Sequence, residues 1–218
     1  MSAPPRSKKH FLQGPAGRLQ ALYELPGDRE PHSAAVICHP HPLHGGTLHN
    51  KVAHTLARAF VRQGFAALRF NFRGVEESDG HYDEARGELD DALAALDWMF
   101  ERHPRLPLWV AGFSFGAAIA IRAATVRPVV GLVSVAPAVK RFADGLERQP
   151  QCPWLIVQGD EDELVDADET IEWVNGLEPG PELQLIKGAE HFFHGRLNLL
   201  REAVSEFVRS HADNSKTA

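Results

Sequence analysis

The chain has 218 residues, of which 44% are hydrophobic and 24% charged, a composition typical of one soluble globular domain with a full core. Its formal net charge of −6 gives no electrostatic basis for binding nucleic acid or an anionic membrane. No stretch approaches the roughly 20 apolar residues of a membrane span, and the amino end has no apolar run typical of a secretion signal. Because the only cysteines are Cys38 and Cys152, we expect a reducing compartment, the cytoplasm.

Strand and helix patterns alternate along the chain. First, Gly14-Pro15-Ala16-Gly17 predicts a hairpin turn between two edge strands. Continuous apolar runs then predict buried strands, and apolar residues at helical spacing predict helices between them. The predicted strands are 34–38, 66–70, 108–111, 129–135, 154–157 and 183–186, and the predicted helices lie within 52–60, 89–100, 117–121, 139–146, 166–175 and 197–208.

This alternation predicts an α/β fold. Parallel neighbouring strands need crossover helices, so short strand-helix repeats indicate a mostly parallel sheet with helices on both faces. Together with the hairpin, the sheet should have about eight strands. The chain contains no repeat, linker or low-complexity tract, which predicts a single domain over 1–218 with frayed tails at about 1–7 and 211–218.

The segment Gly112-Phe113-Ser114-Phe115-Gly116 lies between a predicted buried strand and a predicted buried helix. A G-x-S-x-G sequence at such a junction is the signature of a nucleophile elbow. The turn is tight, and Gly112 and Gly116 supply room on either side of Ser114. Ser114 would stand at the carboxyl edge of the sheet and at the start of a helix, where negative charge is favoured. The simpler interpretation is that Ser114 only caps that helix.

A nucleophilic serine needs a base, and the base needs an acid that orients it. Asp162 follows the predicted strand 154–157, and His191 follows the predicted strand 183–186. Both therefore lie at carboxyl ends of strands, on the same edge as Ser114. The order Ser, Asp, His is the one expected for this architecture. Asp160 is a competing acid, and His194 is the nearest alternative base.

Two further segments complete the pattern: His39-Pro40-His41-Pro42-Leu43-His44-Gly45-Gly46-Thr47 and Asn71-Phe72-Arg73-Gly74. With the elbow, they make the chain resemble the small, lidless bacterial α/β-hydrolases. The resemblance implies the α/β-hydrolase fold without a cap domain, since only 136–153 separate two strands where lids are usually inserted. It also favours Asp162 over Asp160 by its spacing from Gly159. Glu76 departs from the pattern, because members often have glycine there, and it would add bulk and charge near the sheet edge.

The resemblance implies a function as well. Ser114 would attack an acyl carbonyl, His191 would take and return its proton, and Asp162 would orient the imidazole. The oxyanion would bind the backbone N–H groups of Phe115 and His41, since Pro40 and Pro42 have no N–H. The expected substrates are small short-chain acyl esters or thioesters, cleaved through an acyl-enzyme intermediate without a cofactor.

Other interpretations stay open. The same scaffold could carry an aminopeptidase-like peptidase, or a non-catalytic binding module. His39, His41 and His44 have the side chains of a metal site, but a loop interrupted by proline rarely holds three imidazoles in a tetrahedron, so we expect no metal. Arg73 could contact a substrate carboxylate, although a structural ion pair fits its many acidic neighbours better. The sequence does not determine the oligomeric state, and a homodimer stays open.

Overall fold

An eight-stranded sheet forms the centre of the structure, a computed structural model that describes residues 4–142 and 148–212. The spatial order is β1-β2-β4-β3-β5-β6-β7-β8. Strand β2 runs antiparallel to both of its neighbours, and every other pair is parallel. The strands are β1 (Arg6–Gly14), β2 (Gly17–Leu25), β3 (Ser33–Cys38), β4 (Phe65–Phe70), β5 (Leu108–Phe113), β6 (Gly131–Val135), β7 (Trp154–Gly159) and β8 (Glu182–Ile186).

Helices cover both faces of the sheet and bury two separate apolar cores. The first core includes side chains of α2, α3 and α5, and the second includes side chains of α1 and α6. The predicted α/β fold with a mostly parallel sheet is thereby confirmed. The helices are α1 (Lys51–Arg62), α2 (Gly87–Arg102), α3 (Phe115–Val126), α4 (Val139–Phe142), α5 (Ala167–Asn175) and α6 (Leu197–Ala212).

The central strands are buried on both faces, which explains their continuous apolar sequences. Every residue of β3, β4, β5, β6 and β7 is buried, whereas most of the edge strand β8 is partly or fully exposed. Each large apolar side chain buried in this way stabilises the fold by about 1.5–3 kcal/mol. Trp109 lies at the centre of one core, with the rings of Phe60, Phe65 and Phe207 around it.

Several element boundaries differ from the sequence-based expectation. Strand β6 begins at Gly131 rather than residue 129, because its pairing with β5 starts at Trp109 opposite Gly131. Strand β1 begins at Arg6 and helix α6 ends at Ala212, so two residues of each expected tail belong to regular structure. Helix α4 covers the first part of the predicted helix 139–146, and the remainder, 143–146, lies outside the described residues.

The carboxyl ends of the parallel strands carry the candidate site residues. The histidine-rich loop follows β3, Ser114 follows β5, and the loops after β7 and β8 carry Asp162 and His191. The chain order reverses around β3 and β5, and ligand sites of open α/β sheets lie where that reversal occurs. Among the described residues, no helix has the length and apolar character needed to cross a membrane.

Candidate active site

The turn between β5 and α3 holds Ser114 in a conformation that L-residues rarely adopt. Its backbone angles are φ 56° and ψ −117°, and its N–H donates to the carbonyl of Val135 at 2.8 Å. A Cβ on Gly112 would overlap the carbonyl of Gly116, and a Cβ on Gly116 would overlap the carbonyl of His39. Only glycine fits at both positions, so the tight turn depends on them. Ser114 occupies the N-cap position of α3, but its hydroxyl makes no capping hydrogen bond, which gives the interpretation as a helix cap alone no support.

Ser114, His191 and Asp162 form a continuous hydrogen-bonded chain. His191 Nε2 lies 3.0 Å from Ser114 Oγ, and His191 Nδ1 lies 2.8 Å from Asp162 Oδ2. The imidazole is 3% exposed and stacks against Phe113, with the ring centroids 4.9 Å apart. Three residues that are far apart in the sequence thus meet at one edge of the sheet.

Hydrogen bonds from its surroundings keep the Asp162 carboxylate ionised although it is buried. Its Oδ1 accepts the backbone N–H groups of Leu164 at 2.9 Å and Val165 at 2.8 Å, and its Oδ2 accepts Gln158 Nε2 at 3.0 Å. Burial raises the pKa of the carboxyl, but the hydrogen bonds from His191 and the loop outweigh burial and leave the pKa below its usual value. An ionised carboxylate can only accept hydrogen bonds. The single ring proton of a neutral His191 is therefore assigned to Nδ1, which leaves Nε2 free to accept a hydrogen bond from the Ser114 hydroxyl.

The two alternative residues have other roles. Asp160 accepts the backbone N–H of Gly188 at 2.7 Å and so ties the loop after β7 to the turn after β8. His194 is exposed and pairs with Glu190 at 3.0 Å. The residues that the structure places in a chain with Ser114 are therefore His191 and Asp162. The alternatives His194 and Asp160 are not part of that chain.

The loop after β3 presents the second candidate oxyanion donor. In the described part of the chain, the backbone N–H groups of His41 and Phe115 donate to no protein acceptor, so both are free to bind a ligand oxygen. His39 holds the loop in place: its Nδ1 donates to the carbonyl of Pro40 at 2.6 Å, and its Nε2 accepts the N–H of Phe72 at 3.1 Å. The missing Cβ of Gly116 lets this loop pack directly against α3.

Burial of His39 should make stability depend on pH. Burial lowers the pKa of His39 to about 4, from about 6.5 in an unfolded chain. Between pH 6.5 and 4, the unfolded chain binds a proton at this residue that the folded chain does not bind. The contribution of His39 to the free energy of unfolding is therefore fully present above pH 6.5 and is lost as the pH falls to 4. We expect the unfolding free energy in urea to fall by up to about 1.4 kcal/mol per pH unit in that range from this residue alone.

A His39→Gln variant provides the test. It should be less stable at pH 7.5 but show a shallower loss of unfolding free energy between pH 6.5 and 4. A matched change of an exposed histidine, His49→Gln, should keep the wild-type slope. Equal slopes for the wild type and His39→Gln would contradict the assignment.

His41 and His44 pack edge to face, with their ring centroids 4.6 Å apart, but His39 does not join them in a three-imidazole cluster. His41 Nδ1 accepts the N–H of Leu43 at 3.2 Å, its Nε2 lies 3.3 Å from the Tyr82 hydroxyl, and His44 is exposed. Within residues 4–142 and 148–212, no group of three or more His, Cys, Asp or Glu side chains is placed to hold a metal ion. The arrangement gives the metal alternative no support.

Arg73 and Glu76 lie beside the site without lining it. Arg73 makes a bidentate ion pair with the buried Asp91, at 2.8 and 3.0 Å, as the structural interpretation predicts. Glu76 has a φ of 48°, in the region that favours glycine, and its carboxylate accepts Asn71 Nδ2 at 2.8 Å. Glu76 therefore adds bulk near the sheet edge but does not reach the walls of the cleft.

A cleft of about 400 Å³ opens in front of Ser114. The residues predicted from the sequence, Ser114, His191 and Phe115, line one side of it. The opposite side, which the sequence does not identify, comes from α4, α5 and the segments directly before them. The sequence holds one weak signal for these residues, an apolar side chain in a polar loop: Leu164, which is exposed. The further lining residues include Val139, Lys140, Arg141, Phe142, Leu164, Val165, Glu169 and Phe192.

Comparison with known proteins agrees with this geometry. Residues 31–147, more than half of the chain, match the family described as serine aminopeptidase, S33 (Hydrolase_4). The chain belongs to this family. The matched segment contains the elbow and the histidine-rich loop, and it ends before Asp162 and His191. Membership of the family and the fold make the chain an α/β serine hydrolase.

The individual relatives cover nearly the whole chain. The uncharacterized protein RP471 of Rickettsia prowazekii is 33% identical over 91% of this chain and 87% of its own length. The XC6422 structure from Xanthomonas campestris, described as an α/β serine hydrolase without a lid, is 38% identical with a TM-score of 0.90, covering 95% of this chain and 96% of that one. An α/β serine hydrolase homologue from Coxiella burnetii is 44% identical with a TM-score of 0.87, covering 91% and 96%. The expected likeness to lidless α/β-hydrolases is confirmed.

Proposed function

We propose that this serine hydrolase cleaves short-chain acyl esters or thioesters through an acyl-enzyme on Ser114. The observation that carries the proposal is the hydrogen-bonded chain from Ser114 Oγ through His191 to Asp162, with contacts of 3.0 and 2.8 Å. Nucleophile, base and orienting acid at these distances are the arrangement required to activate a serine hydroxyl.

Each group has a defined role in the proposed reaction. Ser114 Oγ bonds to the carbonyl carbon while His191 Nε2 takes its proton, and Asp162 stabilises the resulting imidazolium. The carbonyl oxygen, now an oxyanion, accepts the backbone N–H groups of His41 and Phe115, each typically worth about 3 kcal/mol. When the intermediate collapses, the bond to the alcohol or thiol breaks and the leaving group takes the proton from Nε2. Water then attacks the acyl-enzyme by the same route and releases the carboxylic acid.

The family description makes an aminopeptidase the second candidate, and the charges in the cleft favour the ester. A free amino terminus would need an unpaired carboxylate near Ser114. In the cleft wall, Glu169 pairs with Lys140 at 2.8 Å, and Asp166 Oδ1 accepts the Glu169 N–H at 2.9 Å as the cap of α5. Both carboxylates are therefore already engaged. A volume near 400 Å³ with mainly apolar walls suits a short acyl chain.

A comparison of substrates tests this proposal. We expect p-nitrophenyl acetate and butyrate to be hydrolysed with a higher kcat/KM than any aminoacyl-naphthylamide, and a fluorophosphonate probe to label the wild type. A Ser114→Ala variant should lose both the hydrolysis and the labelling. Hydrolysis by Ser114→Ala at the wild-type rate, or no labelling of the wild type, would contradict the serine mechanism. Faster cleavage of the naphthylamides would replace the esterase proposal with the peptidase.

A further inference from the structure

The cleft is lined by two cations and two carboxylates, but not every one of these charges has a partner among the described residues. Two cations, Lys140 and Arg141, come from α4, and two carboxylates, Asp166 and Glu169, come from the start of α5. Lys140 pairs with Glu169, and Asp166 caps α5, where the helix dipole also offsets its charge. Lys140, Glu169 and Asp166 thus each have a compensating partner, and Arg141 is the remaining charge.

Arg141 has no acidic partner within 4 Å among the described residues, although it lies one residue from a paired lysine. Its guanidinium lies over the ring of Phe142, 5.3 Å from the centroid, and Phe142 also lines the cleft. The partner in this contact is an aromatic ring and not an oxygen acceptor, so the N–H groups of the guanidinium stay available for an anion.

Arg141 also lies close to the candidate oxyanion donor. The ring of His41 packs against Phe142, with the centroids 5.5 Å apart, and both rings line the cleft with Arg141. Burial, together with the nearby charges of His44 and Arg141, lowers the pKa of His41 to about 4. The positive charge of Arg141 is therefore felt at the residue whose N–H faces the reacting carbonyl.

We infer that the natural substrate carries an anionic group, a carboxylate or a phosphate, that binds Arg141 while the acyl carbon lies at Ser114. This inference rests on the proposed hydrolysis of esters or thioesters and names their chemical class. A guanidinium presents paired donors that match carboxylate and phosphate oxygens, and hydrogen bonds between charged partners are about twice as strong as neutral ones. The anion could belong to the acyl group or to the leaving group, and Arg141 would recognise the same chemistry in both.

Two matched substrate pairs separate these sources. Mono-p-nitrophenyl adipate against p-nitrophenyl hexanoate places a carboxylate at the end of the acyl chain. Butyryl-coenzyme A against butyryl-N-acetylcysteamine places phosphates on the leaving group. For the wild type, we expect the anionic member of one pair to have the higher kcat/KM. That preference should shrink as the salt concentration rises, because salt screens exposed charges.

Variants then assign the preference to Arg141. Arg141→Met should lower the ratio of kcat/KM for the anionic substrate to that for its neutral partner about tenfold. Arg141→Lys, which keeps the charge, should recover part of the loss. Arg148→Met is the control, since it removes the same charge from an exposed arginine that lines a separate surface hollow. It should leave the ratio within each pair unchanged.

The outcomes distinguish this inference from the proposed function. If the wild type and Arg141→Met have the same ratio of anionic to neutral substrate in both pairs, Arg141 does not select the substrate, although hydrolysis of the neutral esters still supports the esterase. An equal loss in Arg148→Met would reduce the effect to net charge and would also overturn the inference. Failure to hydrolyse any of the four substrates in a Ser114-dependent way would overturn the proposed function and the inference together.

Discussion

Replacement of Asp162 by asparagine is expected to lower kcat for p-nitrophenyl butyrate about ten-thousandfold while leaving the fold intact. The Oδ1 of the new side chain can keep the N–H groups of Leu164 and Val165. The amide nitrogen then takes the place of the oxygen that lies 2.8 Å from His191 Nδ1. Since two donors cannot face each other, the imidazole proton moves to Nε2, which can no longer accept the proton of Ser114.

Asp160→Asn is the matched control for this change. Asp160 lies two residues from Asp162, and its replacement removes the same charge. The side-chain oxygen of the new asparagine can still accept a hydrogen bond from the N–H of Gly188. We expect its kcat to stay within about threefold of the wild type, because this side chain does not contact His191. Circular dichroism and urea unfolding should show both variants folded. A large loss in Asp160→Asn with a small loss in Asp162→Asn would transfer the role of the orienting acid to Asp160.

Much of the architecture could be predicted because its determinants are local. A strand buried on both faces has a continuous apolar sequence, so β3, β4, β5 and β7 are recognisable before any contact is known. The positions of Asp162 and His191 after two such strands then follow from topology, since parallel strands end at one edge. The elbow is likewise local: five consecutive residues between a buried strand and a buried helix make Ser114 recognisable as a candidate nucleophile.

The remainder depends on contacts between distant segments, which no local pattern contains. Gln158 supports Asp162, but in the sequence it is one polar residue at the end of an apolar strand. Tyr82 meets His41 from a loop 41 residues further along the chain. Glu169 pairs with Lys140 and not with Arg141, its neighbour in the sequence. Which of the two cations is paired depends on how α4 packs against α5. The pairing of charges in the cleft is therefore a property of the three-dimensional structure that the sequence pattern does not contain.

The elbow and the loop after β3 are coupled through Gly116. The residue is fully buried in α3, and the carbonyls of Cys38 and His39 pack against its Cα where a side chain would otherwise stand. This close approach holds the loop that carries His41 against the start of α3, where Phe115 lies, as the proposed oxyanion site requires. One glycine thus serves both the packing of the sheet against α3 and the assembly of the candidate oxyanion site.

We therefore expect Gly116→Ala to destabilise the protein by about 3 kcal/mol or more, because the added methyl group would overlap backbone carbonyls that cannot rotate away. The variant that does fold should also lose kcat on p-nitrophenyl butyrate by at least tenfold, since the loop that carries His41 must move away from Phe115. Urea unfolding followed by tryptophan fluorescence gives the first quantity, and steady-state kinetics gives the second.

Gly176→Ala is the comparison for this change, because Gly176 has a φ of −83° and the nearest atom to an added Cβ lies at 3.4 Å. We expect its stability to be unchanged or raised by up to about 1 kcal/mol through the smaller entropy of the unfolded chain. If Gly116→Ala were as stable and as active as Gly176→Ala, the loop after β3 would have room to move without cost. The backbone contact at Gly116 would then not be what holds the two N–H groups together.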